Sequence, residues 1–133
     1  MGIVRNTVND QLLRLSYKEP NNIRMFLKNW GWLESLSYKG DTVATCILAD
    51  LKIVTGIDPD KFDKNNRGIF NLGYLHGILS HYQYMSIAYT LVLGYSQQEV
   101  AWVMCVDQSV VSKNINSGIK KIQRGLNAML EED

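Results

Sequence analysis

Apolar residues recur at spacings of three and four through most of the chain, and the longest such run lies at its C-terminal end. There Val111, Ile115, Ile119, Ile122, Leu126 and Met129/Leu130 form one unbroken stripe, the pattern of a helix with one buried side. Just upstream, Val100, Ala101, Val103 and Met104 give a shorter buried side, and the small Ala101 falls where a second helix would have to cross closely. Three more stripes precede these. Val8, Leu12, Leu13 and Leu15 predict a short helix from about Thr7 to Tyr17, ended by Pro20. Ile23, Phe26, Leu27, Trp30 and Leu33 predict a single helix from about Asn22 to Leu36, slightly weakened by Gly31. Val43, Ile47, Leu51 and Val54 predict a third, capped by Asp41 or Thr42 and closed after Thr55 by Gly56. The expected fold is all-α, a helical bundle of about seven helices. Residues 1–67 form an N-terminal helical region, with a loop over 56–68, and residues 68–133 a C-terminal tri-helical unit.

The middle of the chain departs from this regularity. From Gly68 to Gln98 there is no Asp, Glu, Lys or Arg in 31 residues. A membrane span is not expected, because Asn71, His76, Ser80, His81, Gln83, Ser86 and Thr90 interrupt the segment, Gly73 and Gly77 break it, and no run of about 20 apolar residues survives. Ser80 with Gln83 is a capping box, so the segment divides into a short helix around Phe70 to Leu79 and a longer one from His81 to Leu93, ending at Gly94. A helix apolar on every side is usually central. Core packing between the two halves is one reading of it. The other is a homodimer surface in which Tyr82, Tyr84 and Tyr89 face a second copy.

The run GIDPDKFDKNNRG reads as a loop by composition. Its Asp58, Asp60 and Asp63 do not make a calcium loop, since the third carboxylate is one place late and no Glu closes the set, and no metal is expected.

The chemistry lies after Tyr95. Ser96 followed three residues later by Glu99 is a second capping box, so a helix starts at Gln97. It runs for about two turns. Val106 plugs the following turn, and Asp107 is an N-cap for a new helix from Gln108. The face opposite that helix's apolar stripe carries Gln108, Ser109, Ser112, Lys113 and Asn116 at its N-terminal end. Lys120, Lys121 and Arg124 follow, giving +4 with no acidic residue between Gln108 and Leu130 in a chain whose net charge is +1. Gln and Asn can pair bidentately with adenine, and Ser with several base edges. Spacing alone leaves two readings open, a solvated face of an ordinary helical hairpin or the recognition helix of a helix-turn-helix that enters a DNA major groove.

A resemblance separates them. Leu79, Gly94, Ser96, Glu99, Val100, Ala101, Cys105, Val106, Asp107, Val111, Ile115, Lys120 and Lys121 fall where the fourth conserved region of bacterial sigma factors has its pattern, and the spacing from Leu79 to Ser96 agrees without a gap. The stretch resembles that promoter-binding helix-turn-helix, especially in the small extracytoplasmic-function group. The resemblance implies a sequence-specific DNA-binding transcription regulator, bacterial or phage, with double-stranded DNA as partner. Two departures matter. Cys105 stands where the family usually has Gly, which suggests a different turn or a less strained backbone there. The preceding helix, from His81, lacks the family's arginines, and phosphate contacts supply much of the affinity for DNA. The unit alone is expected to bind weakly.

Composition narrows the alternatives. A near-neutral chain is not a generic polyanion binder, so DNA must be met by a local basic face. Cys46 and Cys105 are too few for a disulfide scaffold or zinc site and read as reduced thiols of a cytoplasmic protein, and the start shows no apolar signal core. His76 and His81 would point in different directions on one helix. With no nucleophile beside a base and no phosphate-binding glycine loop, neither an enzyme nor a cofactor is expected. Trp102, where the related domains usually carry a polar residue, is expected to dock on the N-terminal helices. Three rival readings keep the fold but change the role: a sigma-like module acting mainly on RNA polymerase, a ring-forming phage DNA-packaging subunit of small-terminase type, and an interaction protein that no longer binds DNA.

Overall fold

In the computed structural model, residues 16–58 and 77–132 are described. The fold is all-α, with six α-helices and no strand among these residues. A 3-10 turn, Ser16–Lys18, leads into α1 (Pro20–Lys28) and α2 (Trp30–Tyr38). Next come α3 (Thr42–Thr55) and α4 (His81–Ile87), whose last turn widens to a π-helix over Ala88–Val92. Then α5 (Gln97–Met104) and α6 (Gln108–Glu132) complete the order.

Local chemistry explains most of these boundaries. The Asp41 carboxylate accepts from the backbone N–H groups of Val43 and Ala44, so Asp41 and not Thr42 caps α3. Ser80 and Gln83 form the expected capping box at the start of α4. Gln83 has a second role: its Nε2 donates to Ser117 Oγ on α6 at 3.0 Å, tying the start of α4 to the long helix.

Several expectations need correction. The single helix over 22–36 is two. Asn29 leaves the helical region, with φ −106° and ψ 27°, and both its backbone N–H and its Nδ2 donate to the Met25 carbonyl. An Asn side chain that competes for backbone partners favours helix ends, and Trp30 then turns into the core while Gly31 is accommodated. Pro20 begins α1, where its missing N–H costs nothing. Of the helix expected over Thr7 to Tyr17, the described part is only the 3-10 turn, and of the one around Phe70 to Leu79, Gly77 to Leu79 are turn and bend. The rest of both, with His76, Asp60 and Asp63, lies outside the described residues.

The long helix α6 is the spine. It packs against the 3-10 turn, α1, α3, α4 and α5, while α2 covers α3. Val111, Ile115, Ile119, Ile122 and Leu126 are all buried, as their spacing requires, in one cluster with Tyr17, Ile23, Leu27, Trp30, Ile47, Leu51 and Ile87. Buried side chains from both halves of the chain share that core. Close approach of α4 depends on Gly118, where a Cβ would lie 2.4 Å from Ile87 Cδ1.

Within the uncharged segment, Gln83 to Tyr89 are core. Tyr84 is 1% exposed and Tyr89 7% exposed, so neither can face a second copy, and of the three tyrosines only Tyr82 is at the surface. Burial first, then the Asp58 carboxylate and Tyr89, push the Tyr84 phenol up to about 12. No helix among the described residues is long and apolar enough to cross a membrane.

Gly77 returns the chain onto the end of α3. Its φ is +62°, and a Cβ there would lie 2.0 Å from the Val54 carbonyl oxygen, a backbone atom that cannot swing aside. Gly77→Ala should therefore destabilise the fold by at least ~2 kcal/mol, combining left-handed strain with overpacking. Gly31→Ala, with nothing within 4 Å of its Cβ, should be neutral or stabilising by up to ~1 kcal/mol. Urea unfolding of the two variants measures the contrast.

Candidate nucleic-acid interface

The helix-turn-helix is built from its caps inward. Ser96 Oγ accepts from the Glu99 N–H at 3.1 Å and the Ser96 N–H donates to Glu99 Oε1 at 3.0 Å, closing the capping box of α5. The Ser96 backbone N–H first, and then the Ser96 hydroxyl, hold the Glu99 carboxyl below its ordinary value. Val100 and Ala101 are buried, and Met104 packs against the same core. The outer side of α5 differs from expectation. Val103 is half exposed, and Trp102 is 83% exposed instead of docking on the N-terminal helices. At 100° per residue Trp102 falls opposite Val100 and Met104, so turning it inward would expose the residues that hold α5 to α6. Beside it a groove of about 570 Å³ runs between Tyr89, Tyr95, Val103 and Met104.

The turn is the second correction. Cys105 has φ 59° and ψ 43°, the sole positive φ outside glycine among the described residues. The Cys105 N–H donates to the Trp102 carbonyl and the Val106 N–H to that of Ala101, the paired bonds of a Schellman ending. The turn is thus left-handed, with a cysteine carrying the strain that glycine would avoid. Val106 tucks partly against the core, as expected, and the Asp107 carbonyl receives the Val110 and Val111 N–H groups as α6 begins.

The eight expected contact residues do not all face one way. Ser109, Lys113, Asn116, Lys120 and Arg124 are exposed and fall on the side of α6 opposite its buried stripe, a strip about 22 Å long at 1.5 Å per residue. Gln108 is exposed at the helix start, and Ser112, one turn on, is half-buried on the flank nearer α1. Lys121 is half-buried on the other flank.

The N-terminal helix adds a neighbour that periodicity did not reveal. Gln123 Nε2 donates to the Lys18 carbonyl, and the Arg24 guanidinium donates to Asn116 Oδ1 at 2.6 Å. Residue numbers that rise along α1 while they fall along α6 mean that the two helices run antiparallel, side by side. Arg24 and Lys28, four apart on the polar side of the Ile23, Leu27 and Trp30 stripe, were visible in the sequence as a basic pair. Their adjacency to α6 was not. No group of three or more His, Cys, Asp or Glu side chains that could hold a metal occurs among the described residues.

No family model matches the chain, and neither a curated protein nor a solved structure matches it.

Two measurements test this local account. Cys105→Gly should raise stability by about 0.5–1 kcal/mol in denaturant unfolding under reducing conditions, because it releases left-handed strain, whereas Cys105→Val should lower it. Because the folded pKa of Glu99 is depressed, its contribution to the cap is complete above the ordinary carboxylate value and is lost as pH falls through the folded pKa. A carboxyl-detected NMR titration should place Glu99 below the ordinary 4.5, and Ser96→Ala should bring it back toward that value.

Proposed function

We propose that this chain is a sequence-specific DNA-binding protein that regulates transcription, with α6 entering the major groove. The supporting observation is the strip from Ser109 to Arg124: exposed, free of carboxylates, and carried at its N-terminal end by a helix-turn-helix whose capping box and left-handed turn hold α5 and α6 together. Short polar side chains at the helix start suit base edges, and the cations further along suit phosphates. Gln108, Ser109 and Lys113 read bases or adjacent phosphates, while Lys120 and Arg124 hold the backbone. Ser112 and Lys121, on the flanks, reach only the groove walls.

A second reading, in which the unit serves RNA polymerase or another protein, is favoured by Trp102. A tryptophan 83% exposed beside a half-exposed Val103 is the kind of apolar surface that marks an interface.

Fluorescence anisotropy of the purified protein with DNA fragments from its own locus, across a salt series, separates the two. The DNA reading expects selective binding that weakens with salt, with Lys120→Ala lowering the log–log slope by about 1 and Lys113→Ala costing about 1–3 kcal/mol. Absence of binding at low salt overturns it. Capture of purified RNA polymerase that survives Lys113→Ala but is lost in Trp102→Arg would establish the second reading in its place.

A further inference from the structure

The contact between Arg24 and Asn116 biases what this part of the surface can recognise. A guanidinium carries five N–H donors and no acceptor, so the Asn116 atom that meets it at 2.6 Å is the carbonyl oxygen. The amide nitrogen is thereby the end left to point elsewhere. Asn116 is neutral, so the bond leaves the arginine charge uncompensated, and no carboxylate among the described residues pairs with it. An asparagine that reads adenine needs both ends of its amide, Oδ1 to accept from N6 and Nδ2 to donate to N7. Here one of the two lone pairs of Oδ1 is taken by Arg24, and the guanidinium charge beside it disfavours the approach of a second donor such as adenine N6. What the two side chains jointly offer outward is weighted toward donors, together with one positive charge.

The placement suits this role. Packed helices lie about 8–10 Å apart, and the major groove is about 12 Å wide, so a groove that admits α6 has no room for α1. With α6 seated, α1 stands over the groove's edge, where a phosphate strand runs, and Arg24 spans from that edge to Asn116 inside. Lys28, exposed one turn beyond Arg24, continues the same edge. Resting on the DNA reading given above, we propose that Arg24 and Asn116 act as one donor-rich, positively charged element that takes clustered hydrogen-bond acceptors on DNA, guanine O6 and N7 or phosphate oxygens, in preference to adenine. Arg24 is then both a contact residue and the positioning residue for Asn116, and the N-terminal helix belongs to the DNA-binding surface.

The test uses the full chain and its selected binding site, with single base-pair substitutions opposite Asn116 and a salt series, comparing wild type with Arg24→Ala and Arg24→Lys. Arg24 is only half-buried, and an unchanged melting temperature in both variants shows that differences in binding come from the interface. Arg24→Ala should weaken binding about tenfold and lower the salt slope by about 1. A uniform loss across sequences assigns the acceptors to phosphate. Loss of preference for G·C at one position assigns them to guanine, and there Arg24→Lys should restore the salt slope without the preference, because an ammonium lacks the planar fork. Wild-type preference for adenine opposite Asn116, or an Arg24→Ala protein with unaltered affinity, slope and base preference, overturns the inference while leaving the DNA reading intact. Failure of the wild-type protein to bind any DNA overturns both.

Discussion

The structure depends on one helix having a single apolar side. Over 25 residues α6 buries Val111, Ile115, Ile119, Ile122 and Leu126, each worth about 1.5–3 kcal/mol when fully removed from water. No shorter element presents so long a continuous stripe, so α1, α3, α4 and α5 all organise against it. Gly118 and Gly125 let α4 and the end of α3 come close, since a Cβ at Gly125 would lie 2.9 Å from a Val54 methyl. The exposed strip is what remains once four neighbours have taken their sides. Its chemistry is therefore presented on a rigid support, which is the condition for side chains to read a rigid partner.

Charge is segregated by the same packing. Several carboxylates are committed to structure: Asp41 caps α3 from a buried position, Asp50 accepts from the buried Tyr17 hydroxyl, and Glu99 closes the cap of α5. None of these lies on the outward face of α6. A chain of net charge +1 thus keeps a local positive strip without a large overall charge, because part of its negative charge is spent on helix ends and in the core.

What could be read from the sequence was what depends on neighbours along the chain. The capping boxes at Ser80 and Ser96, the Asp41 cap, the start of α6 and its buried stripe all follow from residues within one or two turns of each other, and all are present. The break at Asn29 was missed because Ile23 to Leu33 keep the helical period straight through it; periodicity records which side is buried, not whether the axis bends. Cys105 was misjudged because residue type speaks for the cost of a left-handed turn, whereas the closing bonds to Ala101 and Trp102 decide that the cost is met. Trp102 was misjudged because size and hydrophobicity suggest burial, yet its angular position on α5 lies opposite the buried Val100. The contact of Arg24 with Asn116 spans 92 positions, and no local pattern reports a pairing of that kind.

The lack of arginine in α4 follows from this packing. In α4, Gln83 to Tyr89 are buried almost without interruption, because α4 lies against α6 on one side and its π-helical end against α1 and α5 on others. An arginine at most of those positions would be a buried charge without a partner, which costs far more than a phosphate contact returns. A helix that serves as core cannot also serve as a phosphate clamp. If α6 is to hold DNA, the further cations have to come from an element that borders α6 and keeps a polar side, and among the described residues α1, with Arg24 and Lys28, meets both conditions. The absence of charge from the buried part of α4 and the presence of a basic pair on α1 are then two consequences of one arrangement. The N-terminal helices are both the cover of the core and the neighbour of the strip.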